Sequence, residues 1–140
     1  MTLDQLQRAH VLIYAHGQAA HTGSLPAMKA VCYIIRNRVR AGWHDGSWID
    51  AIEHADEVAG NAPGPRPRID VYNRTFQMLM QWIDEMYYSS SSEEMETTVD
   101  KALYFQFMDR PLRPWFTDNI LRQPKAHPRK VQIGSMVVYD

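Results

Sequence analysis

The sequence predicts a mainly α, α+β fold in a single domain over residues 1–140, with a small two-stranded β element at its C-terminal end. Three observations carry this expectation. Apolar residues recur at three- and four-residue spacing in four stretches before residue 90, the pattern of helices that bury one face. The segments "ALYFQF" and "KVQIGSMVVY" then change to β-branched and aromatic residues with period two. At 140 residues, with 45% apolar and 22% charged side chains, the chain is long enough for one core and too apolar to stay unfolded.

A capping box of Thr2 and Gln5 opens the first helix, with Leu3, Leu6, Ala9, Ile13 and Tyr14 as apolar positions and an expected stop near Gly17. Ser24 and Pro26 open the second, where Ala27, Met28, Val31, Ile34, Ile35 and Val39 make one broad apolar face up to Gly42. Ser47 and Asp50 cap a shorter third helix through "WIDAIEHADEVA", with Ile49, Ile52 and Ala55 inward. The segment "GNAPGPRPR", 60–68, holds three prolines and two glycines, which forbid regular helix and make a loop or a cleft rim. Asp70 opens a long fourth helix carrying Tyr72, Phe76, Leu79, Met80, Ile83, Met86 and Tyr87, ended by the tetraserine at 89–92. A short helix follows over 93–100, and Pro111, Pro114, Pro124 and Pro128 stiffen a long loop carrying Trp115 and Phe116.

Composition excludes several function classes. Fifteen basic against sixteen acidic residues give a formal charge of −1, so no global field draws the chain to nucleic acid or anionic lipid. Arg36, Arg38 and Arg40 of "RNRVR" alternate around a helix instead of forming a stripe, which leaves only a thin phosphate footprint. No apolar run approaches the roughly 20 residues that span a bilayer. The start "MTLDQLQRAH" lacks the basic and apolar regions of a signal peptide, so the expectation is a chain made soluble in the cytoplasm, for which any export needs another route. Cys32, the single cysteine, falls inside an apolar helical pattern and is expected to be a small core hydrophobe. His10, His16 and His21 do not share one helical face and no HExxH occurs, so no metal is expected. The glycines never form the spaced sets that cradle phosphate, so no nucleotide or other cofactor is expected.

Three groups of residues could carry a site. "IYAHGQAAHTG", 13–23, gathers His16, Gln18 and His21 where the first helix breaks off, as a cleft edge or as an ordinary helix end. Glu53, Asp56 and Glu57 sit three and four residues apart, a spacing that can raise one carboxyl into an acid catalyst, although a wet helix face explains it more simply. Trp43, Trp48, Tyr104, Phe105, Trp115 and Phe116 offer flat area on which sugars stack. Most of them must be core in so small a domain, with Trp43 and Trp115 the two expected to be partly exposed.

Two segments together resemble a known family. "IYAHGQ" followed by "AMKAVCYIIRNRV", closing in Asn37, Arg38 and Val39, is similar to the N-terminal motif of the SleB-like cell wall hydrolases, the spore cortex lytic enzyme type. Ala102, Leu103, Tyr104, Phe105, Trp115, Ile133, Gly134 and Tyr139 then fall in the order of that family's C-terminal motifs. The resemblance implies a lysozyme-like helical fold acting on peptidoglycan glycan strands by hydrolysis or lytic transglycosylation. It also implies a glutamate directly after the Tyr-Ala pair as general acid, kept protonated by apolar surroundings. Here that position is His16, and no glutamate occurs between Met1 and Gly42.

Two readings follow, beside a third, a nucleic-acid or regulatory partner protein, that rests only on the local basic stretches "RNRVR" and "PRPR". In one the chain is a divergent glycosidase in which His16, or a relocated Glu53, protonates the leaving oxygen. Gln18, His21, Arg38, Tyr104 and Trp115 then contact the substrate, which is a glycan strand. In the other the fold persists without chemistry and binds glycan or another protein.

Overall fold

The computed structural model describes residues 3–85, 87 and 93–140. It is mainly α with a small antiparallel sheet. Helix α1 (Gln5–Ala19) is followed by a tight turn over Ala20–Thr22 and by α2 (Leu25–Arg40). Next come α3 (Trp48–Glu53), α4 (Arg74–Glu85) and α5 (Glu94–Val99). Strand β1 (Tyr104–Phe107) precedes α6 (Pro114–Phe116), and β2 (Arg129–Ile133) and β3 (Met136–Tyr139) complete the chain.

The N-terminal cap differs from the sequence expectation. Thr2 lies outside the described residues, and Asp4 with Gln7 makes the capping box: Gln7 N–H donates to Asp4 Oδ1 at 2.8 Å and Asp4 N–H to Gln7 Oε1 at 3.0 Å. Nor does Gly17 stop α1. The helix runs through it to Ala19, where Thr22 Oγ1 donates to the Ala19 carbonyl and Gly23, at φ 63°, takes the left-handed turn that only glycine adopts freely.

Helix α2 is the axis of the molecule. Ser24 caps it, and Ala27, Met28, Val31, Cys32, Ile34 and Ile35 are all at most 2% exposed. Burial on nearly every side is the mark of a helix enclosed by others, here α1, α3, α4 and α5. Each of its large aliphatic side chains contributes about 1.5–3 kcal/mol by leaving water. Cys32 is buried among them as a free thiol, and burial raises its pKa above the usual thiol range.

Helix α3 is shorter than expected: it ends at Glu53, and Ala55–Val58 make a separate tight turn. Its buried positions are Trp48 and Ala51, joined by Ala55, while Ile49 and Ile52 are half-buried. Helix α4 begins at Arg74 and not at Asp70, because Asn73 Oδ1 caps the Phe76 N–H while Asp70 closes its own turn onto Tyr72. Phe76, Leu79, Trp82 and Ile83 are buried, but Tyr72 stands 87% exposed ahead of the helix and Met80 faces outward. Met86 and the tetraserine lie outside the described residues.

The β element has three strands, not two, in the order β1-β3-β2, all antiparallel. "KVQIGSMVVY" folds on itself: Ile133 pairs with Met136 across a two-residue Gly134–Ser135 turn, with Gly134 at φ 58°. Strand β3 is central and wholly buried. The proline-bearing loop also contains α6, started by Pro114 in the first turn and continued by a π-type turn to Leu121 that buries Phe116 and Ile120. These two form a second, smaller core with Val137 and Tyr139, against which Tyr104 and Trp115 pack.

Candidate functional site

Two clefts stand out among the described residues. The larger, about 640 Å³, lies between the C-terminal half of α2 and α5, and most of its polar wall is already engaged. Arg36 pairs with Glu96 at 2.7 Å, Asn37 Nδ2 donates to the Asp100 and Ala102 carbonyls, and Asp100 faces Lys130 at 3.4 Å. The smaller, about 380 Å³, opens at the C-terminal end of α1 and is lined by Gly17, Ala20, His21, Pro65, Pro67, Asp109 and Arg110. Its volume lies in the range of small-ligand sites. Because it opens at the end of the 13–23 segment and holds His21, with the loop 60–68 as its rim, we take it as the candidate site.

The loop 60–68 forms its rim and is welded to the outer side of β1. Gly60 lies so close to the strand that a Cβ would overlap the Phe105 carbonyl oxygen and Gln106 Cβ. Asn61 then clips the turn after the strand: its Oδ1 accepts from Phe107 N–H at 2.7 Å, and its Nδ2 donates to the Phe107 and Arg110 carbonyls at 2.9 and 3.1 Å. Beyond it, Gly64 lets the Arg110 guanidinium lie across the backbone, in space a Cβ would fill. Pro65 and Pro67 fix the rest of the wall by locking φ.

Inside this frame α1 and the end of β1 face each other. His21 rests edge-on against Phe107, with ring centroids 4.7 Å apart, and its Nε2 is 3.4 Å from Asp109 Oδ1. Such a pair can orient an imidazole and balance its charge when it is protonated. The guanidinium of Arg110 has no ion pair or side-chain hydrogen bond among the described residues.

The other sequence candidates are not gathered here. His16 is 7% exposed and packs edge-on against Phe76 of α4 at 5.2 Å, and burial lowers its pKa from the ordinary imidazole value. Gln18 is half-buried on α1, and Glu53 is exposed on α3; neither lines either cleft. Arg38 is 1% exposed: its Nε donates to the Leu103 carbonyl at 2.8 Å and its guanidinium sits over Trp43, 5.4 Å from the ring centroid. It therefore anchors the segment leading into β1. Burial lowers its pKa, countered by the nearby Tyr14 and Tyr104 hydroxyls. Tyr104 packs between Trp43 and His127, at the opposite end of β1 from the cleft, and half-buried Trp115 lies under Arg113. Among the described residues no group of His, Cys, Asp and Glu is arranged to hold a metal ion, and no helix is long and apolar enough to cross a membrane.

Sequence reasoning found His21 and the rim but missed Asn61, Phe107, Asp109 and Arg110. For Asp109 and Arg110 the signal was present in "DRP", a turn sequence one residue beyond β1, but only the fold sets it against the turn at Pro63 and Gly64. No family model, no curated protein and no solved structure matches the chain.

Proposed function

We propose that the chain is a lysozyme-like cell-wall-binding domain that holds peptidoglycan glycan strands in the cleft between α1 and β1 without cutting them by the carboxylic-acid route. The observation that carries this reading is His16. It stands where the family resemblance implies the catalytic glutamate, yet its ring is packed under Phe76 and burial disfavours its protonated form. An imidazole whose protonated form burial disfavours is a poor general acid for a glycosidic oxygen, because its neutral N–H is far too weakly acidic. Glu53 is no substitute, since it lies exposed outside the cleft.

The test is co-sedimentation with insoluble purified peptidoglycan. A Cβ added at Gly17 meets nothing within 4 Å, so Gly17→Tyr fills the cleft without disturbing α1. Wild type is expected in the pellet and Gly17→Tyr in the supernatant, with both melting alike. Equal pelleting of the two, or none by wild type, sinks the reading and turns attention to a protein partner.

One observation favours a second reading, an active hydrolase or lytic transglycosylase. His21, unlike His16, lies in the cleft beside a carboxylate and could carry the proton for the leaving oxygen. Release of soluble fragments by wild type, lost in His21→Ala, would establish it.

A further inference from the structure

We propose that Arg110 makes this cleft a carboxylate-recognising subsite, so that its ligand is a glycan strand bearing a free carboxylate and not a neutral N-acetylated one. The inference rests on the glycan reading above and specifies which part of such a strand is held.

Four observations converge. The Arg110 guanidinium lines the cleft without an internal partner among the described residues, so its donors are available to a ligand. The neighbouring carboxylate, Asp109, is turned toward His21 and does not neutralise it by a close pair. The backbone of Arg110 is fixed, because Asn61 holds the carbonyls of Phe107 and Arg110, and Arg110 N–H donates to the Phe107 carbonyl at 3.3 Å. Its guanidinium end lies in the space over Gly64 that a Cβ would fill, so any larger residue there must push it aside.

A guanidinium presents five N–H donors in a rigid planar fork that matches a carboxylate with two parallel hydrogen bonds. Left unpaired and half-buried beside two prolines, it has already lost part of its hydration, so a carboxylate replaces water at little further expense. A neutral acetamido sugar offers only one carbonyl oxygen to the same group. The cleft should therefore discriminate between the two amino sugars of a wall strand, one of which bears a lactyl group that ends in a free carboxylate or, where a peptide is attached through an amide bond, carries the peptide's own carboxylate.

The experiment is a calorimetric titration of the full chain with three soluble probes of equal sugar length. These are a neutral N-acetylglucosamine oligomer, a peptide-free oligomer with free lactyl carboxylates, and one whose lactyl group is amidated by a short peptide ending in a carboxylate. Wild type is expected to bind one of the acidic probes about tenfold more tightly than the neutral one, the size of a single charge-assisted contact. Whichever acidic probe wins identifies the lactyl or the peptide carboxylate as the group held.

Arg110→Gln should bring the favoured probe down to the affinity of the neutral oligomer, and Arg110→Lys should keep only part of the preference, because a point charge cannot make the bidentate pair. Gly64→Ala should erode the preference with the guanidinium still present, a result that simple charge attraction does not give. Equal wild-type affinity for all three probes overturns the inference and leaves the glycan reading standing, as does a preference that survives Arg110→Gln. Failure of every probe to bind overturns both.

Discussion

Removing the Glu93 carboxylate should be the most destructive single change to an exposed-looking acidic residue in this chain. Glu93 precedes α5, and its two oxygens collect donors from α2 and α4: Lys29 Nζ at 2.8 Å, Trp82 Nε1 at 3.0 Å and the Tyr33 hydroxyl. Burial alone would raise its pKa, but the bonds from Lys29 and Tyr33, the Lys29 charge and the Trp82 bond outweigh it, so the value is lowered from the usual 4.5. A hydrogen bond to a charged group is worth about 1.5–3 kcal/mol where it is well buried. Water can replace Glu93 at Lys29 more readily than at Tyr33 and Trp82, so Glu93→Ala is expected to lose about 3 kcal/mol. Glu93→Gln puts an NH₂ against a cluster of donors and should lose about 2 kcal/mol.

The dependence on pH has a definite sign. A carboxyl whose folded pKa lies below its unfolded value stabilises fully above the unfolded value, and that contribution disappears as pH falls through the folded pKa. In urea melts the gap between wild type and Glu93→Gln should be constant near neutrality and close as pH drops below 4.5. A variant as stable as wild type at neutral pH, or a gap that widens in acid, would refute the reasoning.

Other expectations follow from the same physics. His16 has a folded pKa below the ordinary 6.5, so as pH falls below that value the unfolded state binds the proton first and wild type loses stability. His16→Ala should be about 1–2 kcal/mol less stable at neutral pH and should lack that acid slope, as denaturation across pH would record. Gly60→Ala must lift the 60–68 loop from β1, and calorimetry should find it destabilised by roughly 2 kcal/mol or more. Asn61→Ala frees the turn that carries Asp109 and Arg110; amide exchange at Phe107 should quicken and glycan affinity fall, while the helical core exchanges as before.

The helical part of the fold was legible because each helix states its own face and caps. Ser24 with Pro26, and the apolar run from Ala27 to Val39, define α2 without reference to anything else. Errors arose where two local signals competed. Asp70 and Asn73 are both plausible caps, and only the burial of Phe76 against α1 decides for Asn73. Gly17 reads as a stop, but at the end of α1 the left-handed turn was taken by Gly23. The third strand was hidden because "KVQIGSMVVY" reads as a single period-two strand, and "IGSM" is a hairpin only when both halves can pair with one another.

The candidate site was less legible, for a different reason. His21, Asp109, Arg110 and the rim at Gly64 come from three separate segments, and no periodicity links them. Arg38, by contrast, was expected at the substrate as part of the Asn37-Arg38-Val39 ending that carries the resemblance, yet the Leu103 carbonyl and the Trp43 ring make a burial site for it.

We propose that the chain holds glycan strands and does not cut them. The most direct test is to incubate wild type with purified insoluble peptidoglycan and to measure, in one sample, protein in the pellet and sugar fragments in the supernatant. Pelleted protein with no fragments above the protein-free control is the expected result. Soluble fragments in the supernatant, or protein that stays there itself, would contradict it.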